Sequence, residues 1–323
     1  MRSRTSNQVA SWFAWKVRAL LLAIIVAPFV LTAQSKTSTP AAGPETFPTA
    51  QAAADALIAA STNTDPYALL RIFGPDANNL LFTNEPAQDK QRVADFAAQA
   101  HQKNSLSFEP KSGNHAYLLV GNGEWPFPIP IVKTGGKWHF DTVEGHQEVL
   151  YRRIGSNELD AIQICHGFVE AQHQYAMQKR AGYDVNQYAQ RIISSPGKQD
   201  GLAWKNPDGT WGGPVGEKIA AAISQGYNSK EMPYHGYYFK VLKGQGPAAP
   251  LGQLDYVIKG VMIGGFALVA APAEYRVTGV KTFMVSQDGV VWQKDLGPTT
   301  LDQFKAMDRF NPDKSWTPVE ENQ

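Results

Sequence analysis

The stretch EYRVTGVKTFMVSQDGVVWQKDLG, Glu274 to Gly297, alternates in character twice, with a break between the two runs. Val280, Thr282, Met284 and Ser286 fall on one side of an extended chain, and Lys281, Phe283 and Val285 on the other. Asp288-Gly289 is a pair that tolerates the positive φ of a tight hairpin turn, and VVWQK leads back. The reading is strand, two-residue turn, strand. It holds no catalytic group, so it is scaffold.

Working outward, GYYFKVLKG and GGFALVAAPAEY add strands just upstream. Before them a long helix is expected from about Asn157 to Arg180, opened by Ser156 or Asn157 as cap and closed by Gly182. Leu159, Ile162, Cys165, Val169 and Ala176 recur at helical spacing, and Ile164, Phe168 and Tyr175 widen that stripe. Between them, LAWKNPDGTWGGPVGE reads as a loop built on the turn Asn206-Pro207-Asp208-Gly209, followed by a short helix near Glu217 to Ser224.

Farther upstream the apolar period is helical over about Thr49–Ala60, Pro66–Phe73 and Gln88–His101. Asp65 is the expected cap of the second, and Val93, Phe96, Ala97 and Ala100 form the stripe of the third. The period then falls to two in LSFEP, HAYLLVG, FPIPIVKT and KWHFDTV. Pro126, Pro128 and Pro130 recur at every second residue, which suits an edge strand whose missing amides face away from its neighbour. The fold class expected is α+β: N-terminal helices plus a curved antiparallel sheet, then a long helix packed on an antiparallel sheet of hairpins. The divisions expected are a signal peptide at 1–33, a linker at 34–46, domains at 47–150 and 151–298, and a short helix with a C-terminal tail at 299–323.

Composition bounds the class. With 323 residues, 43% hydrophobic and 18% charged, the chain can bury more than one core. A net charge of +1 without a basic run argues against nucleic acid as a partner. Arg2, Arg4, Lys16 and Arg18 precede the apolar run Ala19–Ala33, the layout of a secretory signal. Cleavage after Ala33 would remove those four charges and take +1 to −3. An uncleaved inner-membrane tether is the alternative. Cys165 is the only cysteine, so no internal disulfide is possible, and it reads as a small buried hydrophobe.

WPFPIPIV, RRIGSNELDAI, YHGYYFKVL, GGFALVAAPAEY, GVKTFMVSQDGVVWQKDLG and RFNPDKSWTPV, in that order, resemble an exported bacterial family named only as domain of unknown function 2950. The resemblance covers about Phe47 to Val319. It implies export and two domains, and it brings no catalytic residues; with the signal at 1–33, the compartment expected is the periplasm. The C-terminal half more weakly resembles the globular heads of type IV pilins and pseudopilins, where a helix packs on an antiparallel sheet. In pilins the hydrophobic segment runs directly into that helix, whereas here roughly a domain intervenes. The first domain is loosely similar, in architecture alone, to nuclear transport factor 2-like domains.

Two groups could ligate a metal. In HFDTVEGH, His139 and Asp141 would share a strand face, and a turn would bring round Glu144 and His146. In HGFVEAQH, His166, Glu170 and His173 would share one helix face, although no second helix supplies matching carboxylates. The competing readings are a wet strand face with a polar turn, and boundary histidines packed beside a core. No GxSxG occurs, Ser194-Ser195-Pro196-Gly197 reads as a turn after a short helix, and GGPVGE lacks the lysine of a phosphate loop, so no cofactor is expected. Trp204, Trp211, Tyr234 and Tyr237, with Tyr227 and Tyr238 nearby, lie in glycine- and proline-rich surroundings. There they could bind a cell-wall glycan or an envelope protein, or else seal the rim of a core. The reading that follows is an exported, non-catalytic binding or assembly module. The alternatives are a metal-dependent hydrolase and a membrane-tethered pseudopilin-like subunit.

Overall fold

The computed structural model describes residues 43–320, except 84, 181, 183, 225, 226 and 228–231. The signal expected at 1–33 and most of the linker at 34–46 lie outside the described residues. The fold is α+β.

The first half begins with helices α1 (Ala50–Thr62), α2 (Pro66–Phe73), α3 (Asn78–Leu81) and α4 (Pro86–Gln102). Thr49 caps α1 by accepting from the Ala52 N–H. Asp65 caps α2 by accepting from Tyr67 and Ala68, with Pro66 in the first turn, where its missing N–H costs nothing. The helices cover an antiparallel sheet of β1 (Asn104–Phe108), β2 (His115–Val120), β3 (Trp125–Pro126), β4 (Ile131–Thr134) and β5 (Lys137–Phe140). The order is β1-β2-β4-β5, with β3 also on β2. Leu57, Leu69, Phe73, Leu118, Ile131 and Phe140 are part of one buried cluster.

The three alternate prolines do not share one edge strand. Only Pro126 is in a strand, opposite Leu119, and 127–130 is irregular. β4 lies between β2 and β5 and must bond on both sides. Proline has no N–H to give, so that strand starts only after Pro130.

The long helix departs most from expectation. α5 runs from Thr142 to Ala176 as one 35-residue element, so the boundary expected at 150/151 falls inside a helix. DTV of KWHFDTV is no strand: Asp141 caps α5 by accepting from the Glu144 N–H at 3.0 Å. Gly145 lets the first turn press on β4's approach, where an added Cβ would sit 2.7 Å from Ile129 Cα. Ser156 and Asn157 cap nothing, because the Asn157 side chain is committed sideways to other elements. The helix ends at Ala176, capped by Met177, and not at Arg180 with Gly182 closing it. Leu159, expected in the buried stripe, is 63% exposed, whereas Ala161, Cys165, Phe168, Ala171 and Tyr175 are buried.

Beyond α5 come β6 (Arg191–Ile193), β7 (Gly201–Lys205) and β8 (Trp211–Gly212), forming a small sheet, then α6 (Gly216–Ser224). LAWKNPDGTW is thus a hairpin around the expected Asn206–Gly209 turn, and the Ser194–Gly197 turn follows a strand and not a helix. β9 (Tyr237–Leu242) joins the main sheet, and β10 (Gly244–Gln245), β11 (Leu254–Asp255), β12 (Val257–Ile258) and β13 (Val261–Met262) make short excursions. β14 (Ala267–Pro272), β15 (Lys281–Ser286) and β16 (Val291–Asp295) follow, then α7 (Thr300–Ala306), β17 (Arg309–Phe310) and β18 (Thr317–Pro318). The order in the main sheet is β18-β16-β15-β14-β9. The C-terminal tail is therefore stitched in: β18 pairs with β16, and β17 pairs in parallel with β10.

α5 lies across this sheet and packs more on β15 than on any other strand. Cys165, Phe168 and Tyr175 join Phe266, Leu268 and Phe283 in a second buried cluster. Glu158 adds a polar clasp, its Oε1 accepting from the N–H groups of Val280 and Lys281, each at 2.9 Å. The hairpin of β15 and β16 forms as expected, but its turn is wider. The last pair is Val285 with Val291, and the Gly289 N–H donates to the Ser286 carbonyl at 3.0 Å. Of Asp288 and Gly289 only the glycine has positive φ, at +78°.

Candidate functional site

Two-residue turn chemistry does occur, at Tyr234-His235-Gly236-Tyr237. Tyr234 and Tyr237 exchange both backbone hydrogen bonds, at 2.8 and 3.1 Å. His235 and Gly236 have φ of +50° and +76°, the left-handed pair that such a turn requires. For Gly236 the demand is also steric, since a Cβ would lie 2.3 Å from Asn157 Nδ2. A histidine held at positive φ is a strained position, of the kind that accumulates at functional sites.

Side chains from two remote segments, the start of α4 and the middle of α5, surround the turn. Glu85, 3% exposed, stands just before α4. Its Oε1 accepts from the Gly236 N–H, and its Oε2 accepts from the Tyr227 hydroxyl at 3.0 Å. Asn157 of α5 donates to the Thr278 carbonyl at 2.8 Å and accepts from Arg92 and Gln88 of α4 at 3.2 and 3.3 Å. Asp160, one turn further along α5, places Oδ2 2.6 Å from His235 Nδ1. An ionised carboxylate only accepts, so Nδ1 donates to Asp160, and whenever the ring is neutral Nε2 is the acceptor nitrogen.

Burial dominates the electrostatics of this seam. It pushes the Glu85 carboxyl above its ordinary value, against the pull of Tyr227, the Gly236 amide and the charges of His235 and Arg92. Burial also raises Tyr227, with the Glu85 charge adding to it, and raises Tyr234. The rings of Tyr227, Tyr234 and His235 pack together, Tyr234 lying 4.3 Å from His235 centroid to centroid.

The turn borders a cleft of about 390 Å³ between α5, α6 and the sheet. Ile164, Phe168, Ile192, Leu202, Val215 and Ile219 form apolar walls. Asp160, His235, Tyr234, Gln163 and Lys218 supply its polar groups. An apolar cavity with a few convergent polar groups is the common form of a small-molecule site.

The residues singled out from sequence are mostly elsewhere. His139 lies half-buried on β5, Asp141 caps α5, Glu144 Oε2 stands 3.5 Å from His115 Nε2, and His146 is exposed on the helix. The expected turn is helix, and that disperses the four. His166, Glu170 and His173 do share α5, but Glu170 and His173 are exposed and the His173 ring packs on Phe266. Among the described residues no three His, Cys, Asp or Glu side chains gather to hold a metal ion. Tyr237 is 1% exposed and donates its hydroxyl to the Lys281 carbonyl at 2.9 Å, so it is core and not surface. Trp204 lies under the Arg180 guanidinium, and Trp211 is half-buried on β8. Of the four aromatics only Tyr234 lines the cleft.

Glu85, Asp160 and His235 were not found by sequence reasoning. Glu85 is separated from Gly236 by 151 positions, and no local pattern joins them. A signal for the other two did exist: RRIGSNELDAI carries Asn157 and Asp160, and YHGYYFKVL carries the turn. The family described as "Protein of unknown function (DUF2950)" matches residues 44–319. No curated protein and no solved structure matches the chain.

Proposed function

The chain belongs to the DUF2950 family, and from that premise and the geometry of the cleft we propose that it is an exported binding protein of the bacterial envelope. Its ligand would be a small, mostly apolar molecule with one hydrogen-bonding group. One observation carries this reading: an apolar-walled cleft whose few polar lining groups include the Asp160–His235 pair and Lys218. Walls of Ile, Leu, Phe and Val give a sugar's hydroxyls nothing to bond, so a glycan fits this cleft poorly. The basic and apolar N-terminal run supports export.

The test has two arms. Mass spectrometry of the protein from its native host should find a new N-terminus at Gln34; an intact Met1 in the membrane fraction would favour the tethered form. An environment-sensitive apolar dye should bind the cleft with about one site per chain. Ile219→Glu should weaken it by at least roughly tenfold, while Leu251→Glu on the exposed surface should not. Equal binding by both variants would sink the proposal.

A second reading has its own support. A histidine oriented by a carboxylate at 2.6 Å through Nδ1 is the arrangement of a general base, its other ring nitrogen accepting when the ring is neutral. It would make the protein a hydrolase that activates water at the cleft without a metal. Turnover of p-nitrophenyl esters that His235→Gln abolishes and Lys218→Gln retains would favour it. Dye binding without turnover would leave the binding reading in place.

A further inference from the structure

A second cavity, of about 260 Å³, lies between α1, α2, α4 and the first half of α5, and shares no lining residue with the cleft beside His235. Leu57, Leu69, Phe73, Phe96, Phe127 and Val149 make its walls apolar. Phe127 stacks on Phe73 and tilts against Phe96, at 5.9 and 5.1 Å between centroids.

Its charges do not balance. Arg92, Arg152 and Arg153 line the cavity, against a single carboxylate, Asp89. Arg152 is satisfied at the rim by Glu148 and by the Pro126 carbonyl, both at 2.7 Å. Arg92 lies 3.6 Å from Asp89 and donates to Asn157. Arg153 differs. It is 7% exposed, and among the described residues its side chain makes one hydrogen bond, to the Leu80 carbonyl at 2.7 Å, and no ion pair. Burial lowers its basicity and the neighbouring Arg92 charge adds to that, against the more distant pull of Asp89, Glu274 and Glu85.

A guanidinium stays charged at any working pH and offers five donors. A buried guanidinium with one hydrogen bond and no carboxylate within ion-pair distance among the described residues leaves donors that an anion would complete. We propose that this cavity binds a small amphipathic carboxylate, its head between Arg153 and Arg92 and its alkyl or aromatic body against Leu57, Phe73 and Phe127. Guanidinium and carboxylate match geometrically, and the aromatic walls replace the water shed by the tail.

Isothermal titration of the full chain carrying Ile219→Glu, which closes the cleft beside His235 to apolar ligands, with butanoate, octanoate, dodecanoate and benzoate tests the assignment, with octylamine and octanol as controls. At least one carboxylate should saturate at one per chain, and octylamine should give no saturable heat. Arg153→Met and Arg92→Gln should each weaken the carboxylate by at least about tenfold. Should Arg153→Met fail to fold, Arg92→Gln decides, because that side chain is only half-buried. His235→Gln should leave carboxylate affinity unchanged, which separates this site from the cleft. No saturable carboxylate, equal binding of octylamine, or full affinity in Arg92→Gln would overturn the proposal.

Discussion

Asn157 and Thr278 stand 121 positions apart in the chain, yet Asn157 Nδ2 donates to the Thr278 carbonyl at 2.8 Å. The same amide accepts from Arg92 and Gln88 through its oxygen. One side chain, 1% exposed at the middle of α5, thus ties the first-half helices to the lead into β15. By type and position Asn157 looked like a helix cap. Its bonding capacity is instead spent across the fold.

Asn157→Ala should therefore destabilise the protein by about 2–3 kcal/mol, since it strands a buried carbonyl and two donors of α4 at once. Urea unfolding followed by far-UV circular dichroism measures this. A loss below about 0.5 kcal/mol would mean that the seam is not structural.

Gly236 and Gly289 separate steric demand from backbone demand. Both have positive φ, at +76° and +78°. A Cβ at Gly236 would strike Asn157 and Thr278, whereas at Gly289 it meets nothing within 4 Å. Gly289→Ala should cost about 1–2 kcal/mol from left-handed strain alone. Gly236→Ala should cost clearly more, about 3–5 kcal/mol, and should also disturb dye binding in the adjacent cleft. Equal losses at the two positions would contradict this packing.

Glu85 sets a pH dependence of definite sign. Its pKa is raised in the folded state from an ordinary 4.5, chiefly by burial. Just above the ordinary value, the folded protein holds more protons at this site than the unfolded chain does. This group's contribution to stability is therefore full at low pH and declines as pH rises through that window. Glu85→Gln removes the titration, so the variant should gain in melting temperature relative to wild type as pH is raised from about 4 to 7. A gap that stays constant over that range, or closes, would refute the assignment.

Cys165 is wholly buried among Phe168, Phe283 and their neighbours, and burial pushes its thiol up to about 12. Ellman's reagent should label it only after denaturant is added, because thiolate and access are both lacking in the fold. Prompt labelling of the native protein would mean that α5 opens from the sheet.

The elements legible in the chain were those decided locally. Thr49 and Asp65 cap α1 and α2 with their own side chains, so sequence neighbours alone determine where these helices begin. β15 is buried on both faces from Thr282 to Ser286, so what marked it in the sequence was its β-branched and aromatic run set before a turn, which is written in consecutive residues. The Asp288-Gly289 turn was read correctly in place but too tightly, since only Gly289 needs the left-handed region.

What eluded local reading depended on partners far along the chain. HFDTVEGH looked like a strand and turn, but Asp141 could cap a helix only because that helix continues for 35 residues over both buried clusters. Ser156-Asn157 looked like a helix start, but the Asn157 amide found Thr278, Arg92 and Gln88 instead of its own backbone. By itself the sequence determined the α+β class, the hairpin and the early helices, because propensity, capping and period act over a few residues. Only the tertiary structure brought Glu85 to Gly236, Asp160 to His235 and Arg153 beside Arg92. Those meetings depend on burial and on hydrogen bonds closed across more than 60 residues, which no local pattern encodes.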